Sequence, residues 1–240
     1  MTDFEAMPLD WRRALAVVAH PDDLEYGASS AIATWIDGGR SVAYLLASRG
    51  EAGIDTIAPE DAGPLRADEQ IASALAVGVN EVEFLDHPDG VIEYGVPLRR
   101  DIAAAIRRHR PELVITVNHH DAWPGGYLNM ADHRNVGTAV FDAVRDAANR
   151  WVFREQLVDG VEPWGGVRWV AVSGSPAATH AQDITDGLER GVASLRAHAA
   201  YLAALSGPMA DARTFLTSMA ESEGSRYGGR PAASFELVPM

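Results

Sequence analysis

His20-Pro21-Asp22-Asp23-Leu24-Glu25 gathers one imidazole and three carboxylates into six positions, and a second histidine, His133, follows Asp132 far downstream. A His and an Asp three residues apart can both reach one metal ion across a tight turn, and the intervening proline rigidifies that turn. One carboxylate of the Asp22-Asp23 pair is then left unligated. A free carboxylate beside an ion that acidifies water suits hydrolysis, because it can take the proton. Capping of a following helix would explain one of these acids, since acids favour its positive end. It does not explain the preceding His or the cluster as a whole. A tetrahedral site with one open position needs a further protein ligand. His133 is a candidate, because it opens a predicted helix whose dipole disfavours imidazolium and leaves a neutral, metal-competent ring.

The elements that must position these residues alternate. Residues 14–19 form a short run that is apolar on both faces, as in a central parallel strand. Ala28, Ala31, Ile32, Trp35 and Ile36 recur at helical spacing, and Gly38-Gly39 ends that helix before a second buried run at 42–47. This is a βαβ unit. The pattern continues with a helix over 67–77, a strand at 82–85, a helix over 98–109, a strand at 113–117, a helix over 132–148, a strand at 168–172 and a helix over 185–205. Such alternation predicts an α/β fold with a doubly wound, mostly parallel sheet, whose ligands bind beyond the carboxyl ends of the strands. His20 directly follows the first strand, and the loop leading to His133 follows the fourth. Residues 49–65 read as a loop over the same edge, either a solvated connection or a substrate lid. The last thirty residues, rich in Gly, Ser and Pro, are expected to wrap the surface.

A chain of 240 residues suits one domain spanning 1–240. With no cysteine, any metal must be held by His, Asp or Glu. The net charge of −14 repels phosphate backbones and anionic lipid, so no nucleic-acid or membrane partner is expected. No apolar run approaches membrane-spanning length and residues 1–10 are mixed and acidic, which leads us to expect a soluble cytoplasmic protein. All 20 basic side chains are Arg and none is Lys, a bias typical of a GC-rich bacterial genome that also removes Schiff-base chemistry. Trp123 lies where it could stack on a sugar ring, whereas Trp151, Trp164, Trp169 and His198 read as packing residues. The exposed crevice edge and the tryptophans leave room for a homo-oligomer.

Ala19-His20-Pro21-Asp22-Asp23-Leu24-Glu25 resembles the AHPDDxE signature of the LmbE-like (PIG-L) superfamily of zinc-dependent N-deacetylases. Those enzymes act on N-acetylglucosaminyl-phosphatidylinositol and in mycothiol and bacillithiol biosynthesis. The resemblance continues through Gly50-Glu51-Ala52-Gly53, Leu65-Arg66-Ala67-Asp68-Glu69-Gln70, Pro88-Asp89-Gly90, Gly125-Gly126-Tyr127 and Asp132-His133-Arg134. It implies a Rossmann-like fold, with His20, Asp23 and His133 binding Zn²⁺, or Fe²⁺ or another divalent ion. It further implies Asp22 as general base, Tyr127 as the group polarising the amide carbonyl, and Arg66 and Asp89 as substrate-binding residues. The implied substrate is a small amidosugar conjugate or a related natural product.

One position departs from that pattern. Where the family reads His-Pro-Asp-His, this chain reads Met130-Ala131-Asp132-His133, and Met cannot donate a proton. Asp22 could itself deliver the proton to the leaving amine, or His120 or His119 could reach in, with His180 a more distant candidate. Alternatively the protein keeps a metal site but has lost deacetylation and only binds. Two His and one carboxylate also form the facial triad of non-haem iron oxygenases. Those enzymes are built on jelly rolls, which the helix and strand alternation argues against.

Overall fold

The computed structural model describes residues 3–240, so the first two positions of the expected 1–240 domain lie outside the described residues. In chain order the elements are β1 (Glu5–Ala6), β2 (Arg13–Val18), α1 (Ser29–Asp37), β3 (Ser41–Leu46), α2 (Pro59–Ala76), β4 (Val82–Phe84), α3 (Val96–His109), β5 (Leu113–Val117), α4 (Ala131–Ala148), β6 (Trp169–Ser173), β7 (His180–Asp183), α5 (Leu188–Arg196), α6 (Ala199–Ala204), α7 (Ala212–Gly224) and β8 (Ala232–Pro239). Among the described residues the strands form one sheet in the order β1-β7-β8-β6-β5-β2-β3-β4. Strand β8 runs antiparallel to both its neighbours and the other pairs are parallel. This is the expected α/β architecture.

Alternation along β2 decides which helices cover which face. Ala14, Ala16 and Val18 pack with Ile32 and Trp35 of α1 and Ala74 of α2. Leu15, Val17 and Ala19 point the other way, onto Ile102 and Ile106 of α3 and Val136 and Val140 of α4. A strand buried on both faces must be apolar at every position, which is why the run at 14–19 has no polar alternation. From β2 the chain winds outward through β3 to β4, then returns to β5 on the opposite side of β2. The order therefore reverses between β2 and β5, and a crevice opens beyond Val18 and Val117.

Three segments differ from the sequence expectation. Helix α2 begins at Pro59, so the second half of the anticipated 49–65 loop is helical. Pro fits the first helical turn, where its missing N–H costs nothing, and Glu60 and Asp61 complement the positive end. Pro64 lies inside the helix but on its exposed side, where water satisfies the carbonyl that it leaves free. The helix expected over 185–205 is two helices, broken at Ala197-His198. The C-terminal segment does not wrap the surface: α7 packs against the sheet and β8 inserts between β6 and β7, with Phe235 fully buried. Only the turn at Gly228-Gly229, both at positive φ, matches the loop-like composition. Among the described residues no helix is long and apolar enough to cross a membrane.

Candidate active site

The turn that leaves β2 carries His20 to Glu25 over the crevice. Asp23 turns back on its own strand end, its Oδ2 accepting the backbone N–H groups of Ala19 (3.0 Å) and His20 (2.9 Å). That commits one carboxylate oxygen and leaves Oδ1 facing His133 Nε2 at 2.9 Å. His133 sits in the first turn of α4, and its Nε2 lies 3.3 Å from His20 Nδ1. One ligand atom from each of His20, Asp23 and His133 thus falls within 4.8 Å of the others.

The opposite nitrogen of each ring is held. His20 Nε2 donates to Asp89 Oδ1 (3.0 Å) and Asp132 Oδ2 (3.2 Å). His133 Nδ1 donates to Asn129 Oδ1 (3.0 Å), while the Asn129 amide nitrogen is spent on the carbonyls of Asn118 and His120. With the opposite nitrogens so engaged, His20 Nδ1 and His133 Nε2 are the ring atoms that would turn lone pairs to a common point once a cation there displaced their protons. A second acidic grouping, His20 with Asp89 and Asp132, shares this histidine. Its carboxylates are already satisfied by backbone N–H groups: Ala52 on Asp89, and Gly90 and Ile92 on Asp132. It therefore backs the first set.

The electrostatics favour a cation. Burial disfavours a charged His20, but the hydrogen bonds to Asp132, Asp23 and Asp89 outweigh it and push its pKa well above the usual imidazole range. Burial raises Asp23 too, and the charge and hydrogen bond of His133 more than reverse this, holding it below the carboxylate range. A borderline divalent ion such as Zn²⁺ is suited by two imidazoles and one carboxylate, with a fourth position open. The residues present fit that ion.

Asp22 sits beside this set in a strained conformation, with φ of +85°. Its N–H donates to Gln70 Oε1 (3.1 Å) and its Oδ2 accepts from Arg66 Nη2 (2.6 Å). Burial pushes its pKa up to about 7; the Arg66 charge opposes this and that of Asp23 adds to it. Arg66, expected to grip substrate, also donates to Pro21 O (2.7 Å) and Gly50 O (2.8 Å), so it serves as a clamp on Asp22. Gly50 and Gly53 make room for it: a Cβ at either would lie 2.2 Å from Arg66 Nη1. Asp89, the other expected substrate residue, lines the cavity and holds His20 Nε2.

The cavity over these groups encloses about 230 Å³. It is lined by Asp22, Asp23, Arg66 and Asp89, by Trp123, Met130 and Val117, and by Tyr26, Tyr201 and Met209. Trp123 stands edge-on to His133 with ring centroids 5.6 Å apart. Tyr127 does not line the cavity. It sits at the tip of the 121–129 hairpin, 77% exposed, and the same hairpin turns Trp123 inward. His120 is likewise outside it, 2.7 Å from Glu236 Oε2, beside His119. His180 lies on β7 near the sheet's far edge. The sequence reading missed Asn129, Gln70, Tyr26 and Tyr201. Asn129 was detectable, because it precedes His133 by one helical turn.

Comparison with known proteins decides the family. The PIG-L model, described as GlcNAc-PI de-N-acetylase, matches residues 15–144, which is more than half of the chain. The chain belongs to the PIG-L family. Its PIG-L relatives include the diacetylchitobiose deacetylase of Thermococcus kodakarensis, 28% identical over 191 residues, covering 79% of this chain and 70% of that protein. The 1D-myo-inositol 2-acetamido-2-deoxy-alpha-D-glucopyranoside deacetylase of Kineococcus radiotolerans is 32% identical over 187 residues, covering 64% of this chain and 49% of its own length. The chain thus spans about half of that second relative. The N,N'-diacetylchitobiose deacetylase of Pyrococcus horikoshii shares the fold, with a TM-score of 0.83 and 24% identity over 96% of this chain and 85% of that one. The PIG-L match takes in the signature turn, α2 and the helix bearing His133.

Proposed function

We propose that this protein is a metal-dependent hydrolase that removes an acetyl or similar acyl group from the nitrogen of an N-acetylglucosamine-type conjugate or a related natural product. One observation carries the reading: His20 Nδ1, Asp23 Oδ1 and His133 Nε2 converge directly beside a buried carboxyl, Asp22, that Arg66 holds by a single oxygen. A divalent ion held by His20, Asp23 and His133 would polarise the amide carbonyl and acidify water. Zinc suits the ligand set, and iron or another divalent ion is accommodated by it.

Asp22 takes the proton of the attacking water on Oδ1, since Oδ2 is occupied by Arg66. A carboxyl poised near neutrality can then return that proton to the leaving amine, which completes hydrolysis to acetate and free amine. This shuttle is the repair that the geometry favours for Met130, because Asp22 lines the cavity and His119, His120 and His180 do not. Asp132 and Asn129 keep the two imidazoles in the right tautomers throughout. The acidic surface supports a small-molecule substrate over nucleic acid. The two cores share one sheet, which supports a single domain over the chain.

The test is amine release from N-acetylglucosamine and N,N'-diacetylchitobiose by the zinc-loaded protein. Asp22→Asn should lower kcat by about 10²- to 10⁴-fold while its metal content stays at the wild-type level. Chelation should abolish activity and zinc should restore it. A fully metal-loaded wild type that releases no amine from either sugar would favour the second reading that Met130 supports, a binding protein built on an inherited site.

A further inference from the structure

Two tyrosines face the cavity, and they are in different states. Tyr26 donates its hydroxyl to Met209 O (2.9 Å), so its polar end is spent inside the protein. Tyr201 lines the same cavity half-buried, and among the described residues no hydrogen bond engages its hydroxyl. A tyrosine hydroxyl that lines a cavity and has no partner within the protein is open to a hydrogen bond from a ligand that enters it.

The fold takes trouble to put Tyr201 there. Its ring lies against the Arg66 guanidinium at 4.4 Å, covering the cation that clamps Asp22. The backbone N–H of its neighbour Ala200 is held by Glu69 Oε1 (2.6 Å), one turn along α2 from Arg66. The break between α5 and α6 is anchored at His198, which is fully buried with Nε2 3.7 Å from Glu25 Oε2. Glu25 itself is fixed by Gln70 (2.9 Å) and Ser73 (2.7 Å) of α2. Had the helix continued through 197–198 as its sequence suggests, these two anchors on α6 would be lost. Three contacts from α2 and the signature turn thus aim one residue of a six-residue helix at the cavity.

Resting on the deacetylase reading, we propose that Tyr201 is a substrate-binding residue whose hydroxyl exchanges a hydrogen bond with a neutral hydroxyl of the sugar while its ring seals the Arg66–Asp22 pair from water. Neutrality follows from the surroundings, since the Arg66 guanidinium, the side-chain cation beside Tyr201, is covered by the tyrosine ring and already paired with Asp22, which leaves it no free face for an anionic group. Burial and the charge of Asp22, against that of Arg66, keep the phenol protonated, so it can donate or accept but does not carry the reaction's proton.

The experiment compares wild type and Tyr201→Phe, both zinc-loaded, on N,N'-diacetylchitobiose, following initial rates of amine release over a range of concentrations. Loss of one hydrogen bond made equally in ground and transition states should raise KM about tenfold and change kcat much less. Unchanged KM and kcat would overturn the proposal, as would a fall in kcat at constant KM, which marks a donor used only in the transition state. If wild type releases no amine, the parent reading fails by itself. Tyr201 is then judged by quenching of tryptophan fluorescence on titration with the same disaccharide, Trp123 being in the cavity wall. Weaker binding to Tyr201→Phe sustains the contact; equal quenching, or none with wild type, ends it.

Discussion

At the scale of single residues, the site is a division of labour among carboxyls that differ in their hydrogen bonds more than in their chemistry. Asp23 has one oxygen held by two backbone N–H groups and is kept ionised by His133, as the proposed role of ligand requires. Asp132 and Asp89 are spent on His20 and backbone amides. Asp22 alone is poised near neutrality. The residue that breaks the pattern is Met130, at the N-cap of α4, 44% exposed and in the cavity wall beside His133. If Asp22 must both take and return the proton, a second proton donor at this place should relieve it. Met130→His is expected to raise kcat for amine release by about tenfold, a fraction of the ~10²–10⁴ that a positioned acid can supply. Steady-state kinetics on the zinc-loaded variant decide it, and an unchanged kcat would show that proton return does not limit the rate. That His20, Asp23 and His133 would come together was legible from strand-end position together with the signature resemblance, and the fold does bring one ligand atom of each within 4.8 Å of the others. The contacts that Arg66 makes with Asp22 and Asp89 with His20 were not legible, because an arginine or aspartate near a cavity reads the same whether it meets the substrate or another side chain.

At the scale of elements, α2 does more than cover the sheet. Arg66, Glu69, Gln70 and Ser73 recur at three- and four-residue spacing on its buried side. They bind Asp22, the backbone of Ala200, and Glu25 in turn. A buried polar stripe of this kind is stable only when every member is paired, so it ties the signature turn and α6 to a single rigid helix. The loop before α2 is shaped by the same need. Gly53 has no space for a methyl group because the Arg66 guanidinium, itself pinned by three hydrogen bonds, occupies it. Gly53→Ala should therefore displace Arg66, free Asp22 and lower kcat by roughly tenfold or more, since misplacing a catalytic group by about an ångström costs up to ~10²-fold. Metal content should not change, because Arg66 touches none of the three ligands, and metal analysis beside the kinetics separates the two effects. Motif matching took in Arg66, Glu69 and Gln70 without a role for the last two, and it did not reach Ser73. The helical stripe was present in the sequence, but Pro64 and the Gly-rich approach disguised the start of α2. His198 broke a helix that reads as continuous, because its partner, Glu25, is distant in sequence.

At the scale of the whole molecule, the parallel half of the sheet from β2 to β6 was readable because its strands, the edge strand β4 apart, are buried on both faces and each is separated from the next by a helix of clear period. The C-terminal third was not. Strand β8 is central in space, yet it enters antiparallel after a Gly-rich turn and begins with two alanines, a pattern too weak to distinguish from a surface tail. What holds it is partly polar: Ser234 N–H donates to Glu223 Oε2 of α7 at 2.5 Å. Glu223 lies between helix and sheet, and burial pushes its pKa up to about 7 from 4.5, against the hydrogen bonds from Ser234 and the charge of Arg226. Below pH 4.5 the group is protonated in both folded and unfolded chains, and its burial is not penalised. Between 4.5 and 7 the unfolded chain ionises first, so stability falls as pH rises, and that contribution is lost once the pH passes 7. Glu223→Gln keeps an acceptor for Ser234 and removes the titration. Near pH 4.5 the variant and wild type should have similar stability. At pH 8 the variant should be more stable by about 1–2 kcal/mol, a discounted value because the side chain keeps some exposure. In thermal melts that corresponds to a Tm higher by roughly 2–8 °C for a chain of this size. Melts of both proteins from pH 4.5 to 8 measure it, and a Tm difference that does not grow with pH would show that Glu223 stays ionised in the fold.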